Sequence, residues 1–368
     1  MAMRVAVFRP PHARHGTMFE LQAALYARLV ALGEADVTVF RDARTPFVHP
    51  GLQVQPVPSG FGPFSHRLEK SFGIRPYRSA LALLEGFDVV ETSDPTLYAY
   101  PLVALEAARM YGLRLVCGSS VTLAGHYTGA VVRAREVLDT ASSILCTTPL
   151  AHRRFATLGL VSEADPRVVI TGHPVDTERF RPRENGSREN IVLTVCRLEK
   201  AKGLLEALEA FREAPGAWSW WIAGKGPMHQ ELRKAAAAYG LESRVRFLGG
   251  VPHETMADLY GRAAILLHLP RSTPVWEEYF GAVLIEAMAC GLPVLASATG
   301  AIPHVVGTAG IVVEGPAGPA LRRLIADEDL RRSLARLGRQ RVEEHFHIDR
   351  VADRFLQAWY GARTKSAD

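Results

Sequence analysis

The chain has 368 residues, of which 48% are hydrophobic and 22% charged, a balance that excludes a disordered chain and a small disulfide-held scaffold. Its length predicts two domains of ordinary size. Lysine and arginine exceed aspartate and glutamate by 43 to 38, a net charge of +5 that permits an anionic substrate; no basic run interleaved with aromatics indicates nucleic-acid binding.

Short β-branched segments alternate with helical patterns along the first half of the chain. Strand, helix, strand at this spacing predicts a parallel sheet with right-handed crossovers. Residues 1–175 are therefore predicted to form a doubly wound, Rossmann-like α/β domain. Its predicted strands are 4–8, 36–40, 88–93, 114–118, 143–148 and 167–171, with helices at Thr17–Leu32 and Thr96–Tyr111.

The pattern breaks at 176–189, which is rich in Pro, Asn, Gly and charge and is predicted to be an interdomain linker. A second Rossmann-like domain is predicted over 190–345, and the helix within 346–368 is expected to cross back to the first domain. Two such sheets are predicted to face a cleft, where the strand ends bind ligands. The second set of predicted strands is 191–196, 218–224, 245–250, 264–270, 292–297 and 310–315.

The cysteines and the apolar segments bear on the cell compartment. No cysteine pair has Cys-x2-Cys spacing, and each lies in an apolar stretch, which predicts buried, reduced thiols with no disulfide or metal role. The apolar run at the N-terminus is too short for a signal peptide, and the longest apolar stretch, about 280–298, contains Glu286 and Pro293. A cytoplasmic protein is predicted. The cysteines are Cys117, Cys146, Cys196 and Cys290.

The most informative segment is 276–293. The apolar pattern after Gly281 fits a buried helix ended by Gly291. Such a helix at the carboxyl edge of a strand offers free N–H groups and a positive dipole end to a diphosphate. Glu278 lies before the helix and Glu286 within it, separated by about 12 Å of helical rise, so the two carboxylates could hold opposite ends of one ligand. The alternative is that Glu286 caps a neighbouring helix and Glu278 is a solvated loop charge.

A second cluster follows the predicted strand 191–196. Arg197 can grip phosphate oxygens with two parallel N–H bonds, and Lys202 adds a point charge. Since both follow a strand end, they are expected to face the same cleft as the helix. The alternative is an exposed basic loop.

Together these segments resemble glycosyltransferase family 4, also called glycosyl transferases group 1, whose members are retaining enzymes of the GT-B fold that use nucleotide sugars. The resemblance runs over most of the chain. It is carried by Glu278 and Glu286 with Phe280-Gly281 between them, EAMACGLPV (286–294), Arg197 with Lys202-Gly203, Gly224-Lys225-Gly226-Pro227, and VDTERFRP (175–182).

The resemblance implies a role for each matching residue. Arg197 and Lys202 would bind the donor diphosphate and, with Glu278 at the transferred sugar, form the catalytic group; Glu286 would bind the ribose. The base would lie against the segment after 245–249. Further donor contacts would come from Phe280, Gly281, Val283, Leu284 and Gly16.

The resemblance also implies the partners. A UDP-sugar donor is favoured, a GDP-sugar remains open, and no metal or other cofactor is expected. The acceptor would be a small molecule, a glycolipid or a glycan. It would bind on the side of the N-terminal domain, 1–175, and the nucleotide sugar would bind to the C-terminal domain, 190–345. Segment 67–86 interleaves basic and aromatic residues, which suits a membrane or an anionic acceptor as well as an ordinary solvated surface.

Three departures from the family pattern concern the sugar and the acceptor. Ser119-Ser120 stand where the family usually has a histidine, and the nearest one is His126, so these three residues are candidate sugar or acceptor contacts. Gly16 replaces a glycine pair, and His304 replaces an acidic residue.

Other functions remain open on the same fold, namely a sugar-nucleotide epimerase or a glycosyl phosphorylase. A dehydrogenase is disfavoured because no Gly-x-Gly-x-x-Gly follows the first strand. A solute-binding protein is disfavoured because no signal peptide is recognised.

Overall fold

The computed structural model describes residues 2–10, 17–44, 47–58, 77–123, 131–183 and 188–361. The chain forms two compact units, one of residues 1–174 with 348–368 and the other of 175–347. Each contains one parallel sheet with helices on both faces. The predicted fold class, two doubly wound Rossmann-like α/β units, is confirmed.

Over its described residues, the first unit has seven parallel strands in the order β3-β2-β1-β4-β5-β6-β7. The strand order reverses between β1 and β4, the position at which open α/β sheets bind ligands. The strands are β1 (Met3–Phe8), β2 (Ala35–Asp42), β3 (Gln53–Val57), β4 (Val89–Thr92), β5 (Arg114–Ser119), β6 (Ser143–Cys146) and β7 (Val168–Ile170).

Helices cover both faces of this sheet, so its strands are apolar on both sides. In β1, Val5 and Val7 face one cluster of buried side chains while Ala6 and Phe8 face another. The helices are α1 (Thr17–Ala31), α2 (Pro101–Tyr111), α3 (Val131–Thr140), α4 (Pro149–Thr157) and, from the end of the chain, the final helix Ile348–Tyr360.

Two elements of the first unit differ from the sequence prediction. Strand β3 was not predicted, because it contains Pro56, which a strand tolerates only at a sheet edge such as this one. Helix α2 begins at Pro101 rather than Thr96, since proline suits the first helical turn and Asp94 binds the backbone N–H of Thr96 in a turn.

In the second unit, the part of the chain that the structure describes forms six parallel strands in the order β10-β9-β8-β11-β12-β13. They are β8 (Ile191–Val195), β9 (Ser219–Ala223), β10 (Val245–Gly249), β11 (Ile265–His268), β12 (Val294–Ser297) and β13 (Ile311–Val313). The helices are α5 (Leu204–Arg212), α6 (His229–Ala238), α7 (Met256–Arg262), α8 (Ala282–Ala289), α9 (Ile302–Val306), α10 (Gly318–Ala326) and α11 (Glu328–His345), and the first unit's final helix is α12.

The described part of segment 176–189, predicted to be an interdomain linker, lies within the second unit. One side chain at its end makes several hydrogen bonds there. Arg188 donates to the carbonyl oxygens of Tyr260, Ala263, Cys290 and Gly291, which ties the end of this segment to α7 and α8.

All four cysteines are free thiols; Cys117, Cys146 and Cys290 are buried, and Cys196 is half-buried rather than buried as predicted. Burial raises the pKa of Cys117 to about 12, so this thiol is inert at neutral pH. Among the described residues, no helix is long and apolar enough to cross a bilayer.

Candidate active site

Two predicted site residues meet at the carboxyl edge of the second unit's sheet. Lys202 ends a short 3₁₀ segment after β8, and Glu278 precedes α8. The Lys202 Nζ donates to Glu278 Oε2 at 2.7 Å, although 76 residues separate them. His268, the last residue of β11, places its Nε2 3.4 Å from the same oxygen. The result is a compact cluster of an ammonium, a carboxylate and an imidazole.

The Lys202 ammonium is held on a second side by an aromatic ring. Its Nζ lies 4.2 Å from the centroid of Trp276, and its side chain is 11% exposed. A tight turn fixes Trp276, whose carbonyl accepts from the N–H of Thr273 at 2.7 Å. Because cation–π attraction strengthens on desolvation, Lys202 is an anchored charge and not the exposed loop cation of the alternative.

Glu278 is ionised although its side chain is only 14% exposed. Burial raises the pKa of its carboxyl, but His268 and Lys202 oppose this effect and bring the pKa down to about 2. Glu278 is therefore not the solvated loop charge of the alternative. It is a desolvated carboxylate at neutral pH.

This lowered pKa predicts a pH-dependent contribution to stability. The ionised Glu278 stabilises the fold fully above the ordinary carboxyl pKa of 4.5, and the contribution disappears as the pH falls towards 2. At neutral pH it is on the order of 3 kcal/mol. Urea unfolding at pH 7 should therefore show Glu278→Gln less stable than wild type, and the difference should shrink by pH 3.

The control for this prediction is Glu199→Gln, which removes a more exposed carboxylate from its pair with Arg197. Exposed pairs contribute less than about 1 kcal/mol, so this variant should follow wild type at both pH values. A stability difference for Glu278→Gln that is the same at pH 7 and pH 3 would contradict the assignment.

Two glycines position the cluster. Gly203 has φ +63, and a Cβ there would lie 1.8 Å from the carbonyl oxygen of Leu269, the residue after His268. Gly300 has φ +54, and a Cβ there would lie 2.1 Å from the carbonyl oxygen of Glu278. That same carbonyl accepts from Ala301 N–H at 2.9 Å. The backbones that carry Lys202, His268 and Glu278 are therefore packed directly against their neighbours.

Helix α8 begins beside Glu278. Its N-cap is Gly281, with φ +82 and no side-chain hydrogen bond at the cap. The first-turn N–H groups and the positive end of the dipole are therefore available to an anion. Phe280 and Leu284 are 1% and 0% exposed, and the Leu284 N–H already donates to the Gly281 carbonyl oxygen at 2.9 Å. Val283 is half-buried.

Glu286 lies one turn further along α8 and is 3% exposed. Its Oε1 is 3.0 Å from His253 Nε2, and its Oε2 accepts from Tyr260 Oη at 2.9 Å. The alternative of a helix-capping role does not hold, because its described partners are side chains. These two described contacts use about two of the roughly four acceptor positions of the carboxylate.

Arg197 lies apart from the Lys202–Glu278 pair in this structure. Its side chain is 70% exposed, and its Nη1 binds Glu199 Oε1 at 2.5 Å. Exposed pairs of this kind are weak and screened by salt. Arg197 can therefore change partner at little cost.

In the first unit, Ser119 and Ser120 line a separate cavity at the carboxyl edge of the sheet. The Ser119 hydroxyl donates to Asp94 Oδ2 at 2.5 Å and accepts from the N–H of Val121. These two hydrogen bonds hold the loop after β5. Ser120 is half-buried. Gly16 and His126, predicted to contact donor or acceptor, lie outside the described residues.

Sequence reasoning missed four residues of the second unit's site: His268, Trp276, His253 and Tyr260. One signal was available for His268, which ends the otherwise apolar strand ILLH at the edge where ligands bind. Nothing in the spacing links His253 or Tyr260 to Glu286. Within the described ranges, no group of three or more His, Cys, Asp or Glu side chains could hold a metal ion.

Comparison with known proteins shows a family match for most of the second unit. Residues 175–341 match the family described as glycosyl transferases group 1. N-acetyl-alpha-D-glucosaminyl L-malate synthase of Bacillus anthracis is 28% identical over 181 residues, 47% of this chain and 45% of that protein. D-inositol 3-phosphate glycosyltransferase of Mycobacterium tuberculosis is 32% identical over 202 residues, 50% of this chain and 40% of that protein. The chain thus spans less than half of the length of these relatives.

Solved structures match both units. The Anabaena protein HepE, crystallised with UDP, has a TM-score of 0.79 at 15% identity, covering 97% of this chain and 100% of that one. Sucrose-phosphate synthase from Thermosynechococcus elongatus has a TM-score of 0.76 at 21% identity, covering 97% and 98%. These likenesses confirm the predicted GT-B fold.

Proposed function

We propose that this protein transfers a sugar from a nucleoside-diphosphate sugar to an acceptor hydroxyl, because residues 175–341 match the glycosyl transferases group 1 family. The donor is a UDP-sugar, the reaction proceeds with retention at the anomeric carbon, and no metal is required. The observation that carries the proposal is the desolvated Lys202–Glu278 pair beside the open N-terminus of α8.

The charges and N–H groups of this site suit the diphosphate of the donor. Two negative phosphates need cations and N–H donors together, and Lys202, the exposed Arg197 and the first turn of α8 supply both. In the free protein Glu278 neutralises Lys202. A bound diphosphate would compete with Glu278 for this ammonium, and His268 remains beside the carboxylate to hold it.

The chemical step follows from where charge develops. The bond between the anomeric carbon and the β-phosphate oxygen breaks, and its electron pair stays on the phosphate while the sugar becomes oxocarbenium-like. The acceptor oxygen forms the new bond on the same face, and its proton passes to the departing phosphate oxygen. Lys202 and the α8 N-terminus stabilise the growing phosphate charge, and the Glu278 carboxylate lies where it can hold the sugar.

We assign to Glu286 the binding of the nucleoside part of the donor. Its carboxylate is fixed by His253 and Tyr260 on one side and keeps two acceptor positions for the ribose hydroxyls. UDP is favoured because the matching HepE structure contains it. The base lies against the segment after β10, which also carries His253.

Isothermal titration with UDP and 2′-deoxy-UDP tests the ribose assignment. Glu286→Gln keeps the shape of the side chain, so Tyr260 and His253 retain a partner. We expect UDP binding to weaken roughly 10-fold or more, the scale of a hydrogen bond to a charged group. The penalty for removing the 2′-hydroxyl should be large in wild type and small in Glu286→Gln. An equal penalty in both proteins would disprove contact between Glu286 and the ribose.

Product analysis separates the proposed reaction from its same-fold alternatives. A transferase releases one UDP for each glycoside formed. An epimerase converts the donor into a different nucleotide sugar and releases no UDP, and a phosphorylase needs inorganic phosphate. Proton NMR of the first-formed glycoside also reads the anomeric configuration; an inverted product would overturn the retaining assignment.

A further inference from the structure

The second unit contains a cavity at the edge of its sheet opposite the candidate active site. Its volume is about 450 Å³, and Gly261 and Gly291 line it. Both glycines lie shortly before a strand, Gly261 before β11 and Gly291 before β12. They therefore mark the amino edge of the parallel sheet, whereas Lys202 and Glu278 lie at the carboxyl edge. The cavity and the candidate active site have different lining residues.

The side chains that line this cavity are mainly positive. Guanidinium groups keep their charge at any physiological pH and bind phosphate oxygens in pairs. Two helices end at the cavity, α7 beside Gly261 and α8 beside Gly291, and a helix C-terminus carries about half a negative charge. The charged lining residues are Arg183, Arg188, Arg336, Arg339 and Glu343.

Two of the four arginines are held by the protein itself. Arg188 donates to two carbonyl oxygens at the end of α7 and to two at the end of α8. Arg339 donates to the Ala289 carbonyl at 2.9 Å, and its Nε donates to Glu343 Oε1 at 2.6 Å. These two arginines are therefore fixed in place at the negative helix ends.

The other two arginines have no such partners. Arg183 and Arg336 are exposed, and within the described ranges neither forms a hydrogen bond or an ion pair. Arg183 acts only at longer range on Glu189, which is paired with Arg262. A Cβ at Gly261 would lie 2.5 Å from Arg183 Cδ, so the stem of Arg183 lies closely along α7. Both guanidinium groups are available to a ligand.

The net charge of the cavity matches that of a phosphate monoester. Glu343 and the two helix ends together offset about two of the four positive charges, which leaves about +2. A phosphate monoester carries about −1.5 to −2 at neutral pH. The volume of 450 Å³ corresponds to about fifteen water molecules at roughly 30 Å³ each. This space holds a phosphate group together with a small organic group.

We propose that this cavity binds a small organic phosphate, with the guanidinium groups of Arg183 and Arg336 as its main partners. Arg188 and Arg339 form the inner wall and add positive charge. The site is separate from the one proposed for the donor diphosphate, because the two lie at opposite ends of α8. It does not depend on the proposed transfer reaction.

Isothermal titration of the full-length protein tests this proposal. The probes are ribose 5-phosphate, glycerol 3-phosphate, inorganic phosphate and unphosphorylated ribose, each with saturating UDP present and absent. We expect at least one organic phosphate to bind at millimolar concentration or better in the presence of UDP, inorganic phosphate to bind more weakly and ribose not to bind. Arg183→Gln and Arg336→Gln should each weaken this binding about tenfold or more, the scale of a hydrogen bond to a charged group.

The matched control is Arg332→Gln. Arg332 lies one turn before Arg336 on α11 but is paired with Glu328 and Asp329 and does not line the cavity. This variant removes the same charge from the same helix, and phosphate binding should stay within about twofold of wild type, since exposed pairs are weak. Equal losses for Arg332→Gln and Arg336→Gln would mean general attraction to a basic surface and would overturn the proposal.

Glu343→Gln gives a change in the opposite direction. It removes the acidic side chain of the lining, while Arg339 keeps its carbonyl partners. Binding of the organic phosphate should therefore strengthen about twofold or more, an effect that loss of folding cannot produce. Weaker binding by a folded Glu343→Gln protein would contradict the charge balance of the cavity.

The remaining outcomes separate this proposal from the proposed function. If phosphate binding is abolished by UDP or by Lys202→Ala and is unaffected by Arg183→Gln and Arg336→Gln, the phosphates occupy the donor site and the cavity assignment is wrong. Absence of any phosphate binding also overturns it, and UDP binding with sugar transfer would still stand. If an organic phosphate binds through Arg336 but UDP does not bind, the cavity assignment holds and the transferase assignment fails.

Discussion

Replacing Lys202 by alanine is expected to lower kcat with a UDP-sugar donor by on the order of 10²-fold or more, the usual effect of removing one preorganised electrostatic group. The Lys202 ammonium is held between Glu278 and Trp276 at 11% exposure, so its charge is little screened by water. No backbone dipole can replace it. Because its interaction with the departing phosphate grows as charge develops, KM should change less than kcat.

The matched control is Lys200→Ala. Lys200 lies in the same short 3₁₀ segment but is exposed. Both variants remove one positive charge from the same loop, so only the position of the charge differs. Steady-state kinetics of both variants measures whether kcat depends on the position of the lost charge. Wild-type kcat for Lys202→Ala, or equal losses for the two variants, would remove Lys202 from the proposed chemistry.

Gly203→Ala is expected to produce the largest loss of stability of any single methyl addition at the site. A Cβ at Gly203 would lie 1.8 Å from the carbonyl oxygen of Leu269, so the backbone after β8 or the backbone after β11 must move. With the strain of a positive φ, the expected loss in the free energy of unfolding is about 4 kcal/mol or more. Any protein that remains folded should have lost the contact between Lys202 and Glu278.

The control variant Gly240→Ala separates the cost of the positive φ from the cost of the close approach to Leu269. Gly240 has φ +66, close to that of Gly203, but no atom lies within 4 Å of its added Cβ. This control should lose only about 1–2 kcal/mol, the cost of the left-handed conformation itself. Urea unfolding of both variants measures the difference. Equal losses would mean that the close approach to Leu269 has no energetic effect.

The two predictions concern adjacent residues with different tasks. Lys202 supplies a charge, and Gly203 lets the backbone that carries this charge approach the end of β11. Lys202→Ala should therefore reduce turnover with the fold intact, whereas Gly203→Ala should reduce stability and turnover together. A combination of kinetics and unfolding measurements on both variants distinguishes chemistry from positioning.

Several parts of the fold were predictable from local patterns. The alternation of β-branched and helical segments predicted twelve of the thirteen strands found in the described residues, because a strand covered on both faces must be apolar throughout. Strand β3 was missed because Pro56 is acceptable there only through its edge position, which is a property of the assembled sheet. The start of α8 at Gly281 was predicted correctly because a glycine before an apolar helix is a local signal.

The candidate site likewise has features that local patterns predicted and features that only the folded chain showed. The sequence by itself determined that Lys202 and Glu278 lie at one sheet edge, since residues after parallel strands share that edge wherever they stand along the chain. Only the tertiary structure decided that they touch, that His268 and Trp276 join them, and that Glu286 is held by His253 and Tyr260. Strand ends are set by short-range patterns, whereas pairing, burial and charge balance depend on register and side-chain packing between distant segments. For that reason the motifs could place Lys202 and Glu278 at one sheet edge, whereas the contacts of Glu286 with His253 and Tyr260 emerged only from the folded chain.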